Sequence, residues 1–181
     1  MIRWILQMGA RAFGRKYHYD VSYMLDTIEA SASGGLRLTL FPAVTRMSGT
    51  KAGAPVVAGA WLASSYDGDC GPCVQLSIDM AREAGIPAAP MRACLNGDTA
   101  AGGDVGLGFE FARAAIGANP GVHEIAAQIE ARFGRKTLIA ASFAAASGRF
   151  YPVYKRALGH GAACQKLDFG DGQEMLVTAH G

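Results

Sequence analysis

The chain has 181 residues, 50% of them hydrophobic and 18% charged, which is enough apolar material to bury the core of one domain. This balance excludes a disordered or acidic solvating chain, and the formal charge of +2 is too small for a protein that must neutralise many nucleic-acid phosphates. No apolar run approaches the length of about 18 residues that a membrane-spanning helix needs.

The first 50 residues are predicted to form lead-in helices. Residues 1–16 carry tryptophan and aliphatic side chains together with four basic residues, and no acidic residue occurs before Asp20. This pattern favours a helix that packs on its own domain or on a partner chain. A basic amphipathic helix that lies on a membrane surface is the alternative. The four basic residues are Arg3, Arg11, Arg15 and Lys16.

A second helix is predicted over residues 19–30, and the serines and glycines of 31–35 are predicted to break it. Residues 36–40 alternate like a strand, but no neighbouring segment offers a pairing partner, so the prediction through Val44 is helix. The stretch 48–53, which contains glycine and lysine, is predicted to be a loop.

Residues 55–118 are predicted to form the helical core of a single all-α domain that covers residues 1–181, because no internal repeat or linker interrupts the chain. The C-terminal helices and tail occupy 119–181. The spaced glycines of 102–108 predict a mobile connection rather than a phosphate-binding loop, since no strand leads into them and no lysine follows. A turn over 168–172, flanked by two short extended pieces, is predicted near the end. The helices predicted after residue 50 cover 55–65, 73–84, 89–96, 104–116, 122–133, 138–147 and 151–158.

Two closely spaced cysteines, Cys70 and Cys73, are the chemically informative feature of the sequence. They stand in the segment 67–73 at the predicted start of a helix, where the positive end of the helix dipole and the free backbone N–H groups stabilise a thiolate. The spacing lets one sulfur attack a mixed disulfide or a sulfenic acid formed on the other. The pair therefore predicts redox chemistry.

Three alternatives stay open at this point. The spacing supplies half of a zinc site, but Cys94, Cys164, His123 and His160 show no second paired spacing, so no metal site is predicted. The two thiols can also be buried as small hydrophobic side chains. Cys-Gly-Pro-Cys resembles the thioredoxin motif and the signature of small thiol-disulfide oxidoreductases. Both imply an α/β fold, which the many alanines of 56–65 disfavour.

The segment from Ala58 to Ala115 resembles a known family in its motifs and their order. The matching runs are Cys70-Gly71-Pro72-Cys73-Val74, Ala81-Arg82-Glu83-Ala84-Gly85-Ile86, Leu95-Asn96-Gly97-Asp98 and Phe109-Glu110-Phe111-Ala112-Arg113-Ala114. They are similar to the alkyl hydroperoxidase D-like superfamily, which includes the carboxymuconolactone decarboxylases. The resemblance implies an all-α fold that forms homo-oligomers. It also implies that Cys73 attacks the peroxide and that Cys70 resolves the product into a disulfide.

Two positions depart from the pattern of that family. Its peroxidase members use a histidine four residues after the second cysteine and a glutamate about twelve residues before the first. Ser77 and Ala58 stand at these positions here. A proton relay needs a group that accepts the thiol proton near neutral pH, and neither side chain does so.

Other residues are weaker candidates for the missing relay. Asp67, Asp69 and Asp79 carry carboxylates, but a carboxylate beside a thiol raises the pKa of that thiol. The segment 151–161 is predicted to dock as a C-terminal piece, with the alternative that it returns His160 to the pair. The glycines on both sides of His160 allow an unusual backbone approach, so this histidine is the best candidate for the base.

The chain is therefore predicted to be a thiol-dependent antioxidant, a peroxidase or disulfide oxidoreductase, that uses no cofactor. Its substrate is a peroxide or a disulfide, and its reductant is a protein or a small thiol. The alternative is a non-catalytic, oligomeric binding or structural member of the same fold that lacks the relay. Four cysteines without a secretory signal pattern predict a reducing compartment, the cytoplasm.

Overall fold

The part of the chain that the structure describes folds into ten helices followed by one β-hairpin. The structure, a computed structural model, covers residues 1–161, 165–170, 172 and 174–177. The predicted all-α class is confirmed, with the hairpin as a small addition, and none of the helices in these ranges is both long and apolar enough to cross a bilayer. The elements are α1 (Ile2–Tyr17), α2 (Ser22–Ala30), α3 (Ala32–Thr45), α4 (Ala54–Asp67), α5 (Gly71–Glu83), α6 (Ala88–Leu95), α7 (Gly103–Ile116), α8 (Val122–Phe133), α9 (Arg135–Ser147), α10 (Phe150–Ala157), β1 (Gln165–Asp168) and β2 (Glu174–Val177).

Short-range signals in the sequence explain several helix ends. The backbone N–H of Gly34 donates to Ser31 Oγ over 3.1 Å, so Ser31 caps α3 and the break predicted over 31–35 is limited to this one residue. Residues 36–44 are helical as predicted. Pro55 lies in the first turn of α4, where its missing N–H costs no hydrogen bond.

The centre of the core is the contact of α4 with α7 and α9. A Cβ atom built at Gly108 of α7 would overlap the carbonyl oxygen of Val56, and one built at Gly59 of α4 would overlap that of Val105. The two helices therefore approach so closely that only glycine fits. The prediction of a mobile connection over 102–108 is wrong, because residues 103–108 belong to α7 and Gly108 serves helix packing. The helix predicted over 104–116 is confirmed.

The helices α1 and α2 form a layer beside α5. Leu6 and Ala10 of α1 are buried against Ile28 of α2. At the end of α1, Tyr17 Oη donates to Glu83 of α5 over 2.8 Å. The N-terminal helix thus packs on its own domain, as predicted, and the corner at residues 18–21 is held beside α5.

The hairpin of β1 and β2 is attached to α5 through Gln75. Gln75 Oε1 accepts from the backbone N–H of Asp168 over 2.8 Å, and Gln75 Nε2 donates to the carbonyl of the same residue over 2.9 Å. Leu167 and Phe169 are buried in the main core. The two predicted extended pieces therefore form an antiparallel pair that covers one side of α5.

Candidate functional site

The cysteine pair lies at the N-terminus of α5. Cys70 is the N-cap residue, Pro72 occupies the first turn, and the backbone N–H of Cys73 donates to the carbonyl of Cys70 over 2.9 Å. The two Cα atoms lie 5.2 Å apart, and the two sulfur atoms are joined as a disulfide. Both side chains are about 95% buried, with exposed fractions of 5% and 6%. The pair is thus positioned for reversible disulfide formation at a helix start.

The turn before Cys70 has an uncommon backbone conformation. Asp69 has a φ of +55°, in the left-handed region that is costly for most side chains but that aspartate adopts comparatively readily. The chain reverses here, so that Cys70 takes an extended φ of −134° and precedes the helix. Asp69, a relay candidate in the sequence analysis, therefore shapes the turn.

Residues at both ends of α10 hold this turn in place. Arg149 Nε forms an ion pair with the Asp67 carboxylate over 2.9 Å, and Arg156 Nη2 donates to the carbonyl of Gly68 over 2.6 Å. Gly68 also faces Pro152, since a Cβ built there would lie 2.7 Å from the proline ring. Asp67 therefore acts as an anchor for the turn.

Cys73 contacts one polar side chain from a distant part of the sequence, and a second polar side chain contacts the first. Tyr19 Oη, from the corner between α1 and α2, lies 3.7 Å from Cys73 Sγ, which is hydrogen-bond distance for sulfur. Lys155 Nζ of α10 donates to Tyr19 Oη over 3.5 Å. Lys155 is only 1% exposed, and its ammonium group lies 4.8 Å from the centre of the Tyr19 ring and 5.3 Å from that of Tyr23. These groups form a continuous chain from a lysine nitrogen to the cysteine sulfur.

Burial sets the protonation of this chain. It raises the pKa of Tyr19 to about 12, so the tyrosine keeps its proton at neutral pH and can donate it to a thiolate. Burial lowers the pKa of Lys155, and the charge of Asp20 opposes this effect. A lowered pKa makes Lys155 a weaker base but favours its neutral amine, the form that can accept a proton, and the ammonium formed then stabilises negative charge on Tyr19 or on the sulfur.

The relay candidates from the sequence lie elsewhere in the structure. Ser77 Oγ donates to the carbonyl of Val74 over 2.7 Å, so its hydroxyl proton is used within α5. The two ring nitrogens of His160 contact Ser22 Oγ at 3.1 Å and Asp26 Oδ2 at 3.3 Å. Neither of these contacts is to Cys70 or Cys73, which corrects the prediction of His160 as the base. The turn after α10 directs this histidine towards α2 instead.

The remaining groups weighed from the sequence also lie apart from the sulfur of Cys73. Asp79 Oδ1 accepts from Gln75 over 2.9 Å, and burial raises the pKa of Asp79. Cys94 is a buried thiol of α6, and its burial raises the pKa to about 11, which makes it unreactive. Cys164 lies outside the described residues.

Tyr19 and Lys155 are the site residues that the sequence reading missed. A signal for Lys155 exists, because Tyr151 and Pro152 stand four and three residues before it on the same face of α10, and a lysine on an apolar helix face is unusual. Tyr19 carries no such signal, since it lies in a corner between helices. Its position depends on how α1 and α2 pack against α5.

A cavity of about 450 Å³ is lined by Cys73 and by residues of α1, α2, α3, α4, α5 and α10. A neighbouring cavity of about 470 Å³ shares four of its lining residues. The shared residues are Pro42, Arg46, Trp61 and Tyr151. Cys73 lines the first cavity and Cys70 does not, so the two sulfurs differ in their access to small molecules.

Comparisons of the chain with protein-family models, with curated proteins and with solved structures return no match. The similarity to the alkyl hydroperoxidase D-like superfamily therefore depends on the quoted motifs alone.

Proposed function

We propose that the chain is a thiol-dependent peroxidase of the alkyl hydroperoxidase D-like type, with Cys73 as the attacking thiol and Cys70 as the resolving thiol. The observation that carries this proposal is the chain of polar groups from Lys155 through Tyr19 to Cys73 Sγ, at 3.5 Å and 3.7 Å. It supplies the acid and base that Ser77 and Ala58 lack.

Three features favour Cys73 over Cys70 as the attacking thiol. Its sulfur contacts Tyr19, it lies in the first turn of α5 near the positive end of the helix dipole, and it lines the cavity. Cys70 lies at the N-cap, outside the lining of that cavity. A thiol with a proton relay and access to small molecules is the more reactive member of a pair.

In the first step, the thiol proton of Cys73 passes through the Tyr19 hydroxyl to the amine of Lys155. The Cys73 thiolate then attacks the terminal oxygen of a hydroperoxide, so that an S–O bond forms and the O–O bond breaks. The alkoxide takes the stored proton from Lys155 through Tyr19 and leaves as an alcohol, and Cys73 becomes a sulfenic acid.

In the second step, the sulfur of Cys70 attacks the sulfenic sulfur of Cys73. The S–O bond breaks, and the hydroxyl group leaves as water with the proton of the Cys70 thiol. The disulfide that results is the state found in the structure. Two electrons from the dithiol have reduced the hydroperoxide to alcohol and water, and an external dithiol or small thiol restores the pair by exchange.

The proposal is tested on the full chain, reduced and then exposed to cumene hydroperoxide at pH 7. We expect a Cys70–Cys73 disulfide, identified by alkylation and peptide mass spectrometry, while the buried Cys94 stays a free thiol and serves as an internal control. If both thiols of the pair remain alkylatable after an hour, the peroxidase proposal fails. The alternative, a non-catalytic oligomeric binding or structural protein, then stands.

The proton relay makes a separate prediction about pH. Replacing Lys155 with methionine, or Tyr19 with phenylalanine, is expected to raise the pKa of the Cys73 thiol by about one unit, because an interaction that stabilises the thiolate is lost. Alkylation of Cys73 at pH 7 then slows about tenfold, while the rate at high pH is unchanged. The measurement is the pH profile of iodoacetamide labelling of the Cys73 peptide.

Two control variants accompany that profile. Lys155→Arg keeps the positive charge, so the pKa of the Cys73 thiol is expected to stay close to its wild-type value. Tyr154→Phe removes a hydroxyl of α10 that contacts Thr27 at 2.9 Å rather than the cysteine, and it should leave the profile where it is. A profile that is the same in Lys155→Met and the wild type would exclude the relay.

A further inference from the structure

We propose that the cavity beside Cys73 binds a carboxylic acid whose single hydrocarbon chain carries a hydroperoxide group. The hydrocarbon chain lies in the cavity, and the carboxylate binds Arg46. This inference names the substrate class of the proposed peroxidase and so rests on that function for its chemistry. The binding itself is a separate property of the cavity and can be measured without any reaction.

The cavity has the size and lining of a site for an apolar ligand. Its volume of about 450 Å³ lies within the range of roughly 300–1,000 Å³ that is typical of small-molecule sites. Aliphatic and aromatic side chains from six helices form most of its wall, including Leu6, Phe13, Ile28, Leu38, Leu76 and Trp61. Such a wall favours hydrocarbon over a polar substrate.

Among the described residues that line this cavity, Arg46 is the only charged one. Its guanidinium lies 4.6 Å from the centre of the Trp61 ring, and its Nη2 lies 3.1 Å from Met80 Sδ. The ion pairs found among the described residues do not include Arg46. A guanidinium without a protein carboxylate can donate two parallel hydrogen bonds to a ligand carboxylate.

Arg46 and Cys73 determine how the ligand is oriented in the cavity. Cys73 and Arg46 line the same cavity, so a ligand held at the guanidinium can present another part of its chain to the sulfur. Arg46 also lines the neighbouring cavity of about 470 Å³, which gives longer chains additional space. Charge complementarity therefore selects an anionic amphiphile, and the apolar wall selects its single hydrocarbon chain.

Intrinsic fluorescence offers a direct binding test. The chain has two tryptophans, and Trp4→Phe leaves Trp61, in the cavity wall, as the only reporter. Dodecanoate is titrated against this full-length protein below its micellar concentration, with dodecanol as the uncharged probe of equal length. We expect saturable binding of dodecanoate, weakened about tenfold in Arg46→Gln because a charge-assisted contact is lost. Binding of dodecanol should not change in Arg46→Gln.

Gly9 of α1 provides a variant that fills the cavity. This residue lines the cavity and is also exposed to solvent, and a Cβ built on it meets no atom within 4 Å, so a phenylalanine ring can be placed there and reach the cavity without displacing the fold. We expect Gly9→Phe to abolish binding of both probes and Gly9→Ala to retain it. Unchanged dodecanoate binding in Gly9→Phe, equal effects of Arg46→Gln on both probes, or no binding at all would overturn the proposal. A second copy of the chain that occupied the cavity and excluded dodecanoate would also overturn the proposal.

The failure of this inference is distinguishable from that of the proposed peroxidase. Binding is repeated in Cys73→Ser, which cannot react but retains the cavity. If dodecanoate binds there and cumene hydroperoxide leaves the wild-type thiols free, the redox step fails and the binding site remains. If cumene hydroperoxide forms the disulfide but dodecanoate does not bind, the peroxidase remains and its substrate class is different.

Discussion

Cys73→Ser is expected to abolish the reaction with organic hydroperoxide, whereas Cys70→Ser is expected to retain its first half. A serine hydroxyl in the apolar surroundings of Cys73 has no nucleophilic form near pH 7, so no sulfur–oxygen bond can form. Without Cys70, the sulfenic acid on Cys73 has no resolving partner and accumulates. The two variants therefore separate the attacking thiol from the resolving one, although both remove the disulfide.

The measurement is the trapping of sulfenic acid with dimedone, followed by peptide mass spectrometry. We expect a stoichiometric adduct on Cys73 in Cys70→Ser and no adduct on Cys70 in Cys73→Ser. Cys94→Ser is the matched control, because this thiol is buried in α6 with a pKa raised to about 11 and should not influence the reaction. An adduct on Cys70 in the absence of Cys73 would reverse the assigned roles.

Gly108→Ala is expected to cost about 3 kcal/mol of folding free energy, the upper end of the range for overpacked cores. The new Cβ would overlap the carbonyl oxygen of Val56, a backbone atom of the neighbouring helix that cannot rotate away as a side chain can. For a chain of this size, such a loss lowers the melting temperature by about 6–12 °C. Calorimetry or circular dichroism measures the change.

Gly9→Ala is the matched control for this substitution. Both glycines lie inside helices, but a Cβ at Gly9 meets no atom within 4 Å. Alanine there should raise stability by about 0.5–1 kcal/mol, since it restricts the unfolded chain and favours helix. Equal effects of the two substitutions would contradict the close approach of α4 and α7.

The helices were predictable where local chemistry decides them. Pro55 fits the first turn of a helix, Gly134 cannot continue one with its φ of +83°, and 122–133 was predicted with the bounds that α8 has. The glycines of 102–108 led to two conflicting predictions, a mobile connection and a helix from 104, because glycine serves both a flexible loop and a close helix contact. Only the position of Val56 on the facing helix distinguishes the two.

The two cysteines of the candidate site could be predicted from the sequence, but the side chains around them could not. The spacing of three positions between Cys70 and Cys73 identifies them as a pair. Tyr19 stands 54 positions from Cys73, and Lys155 stands 136 positions from Tyr19, so no local pattern connects them. The resemblance to the alkyl hydroperoxidase D-like superfamily places Ser77 at the relay position, but the Ser77 hydroxyl donates to a carbonyl of its own helix. Relay groups that come from other helices depend on tertiary packing.

One helix, α10, both holds the turn before Cys70 and carries the lysine that contacts Tyr19. Arg156 bonds to Gly68, while Lys155, its neighbour in the chain, reaches the hydroxyl next to Cys73. Any displacement of this helix changes the sulfur–sulfur geometry and the charge at the thiol together. The dithiol–disulfide equilibrium and the position of α10 are therefore thermodynamically linked. A molecule that bound α10 more tightly in one oxidation state would shift the reduction potential of the pair by the same free energy.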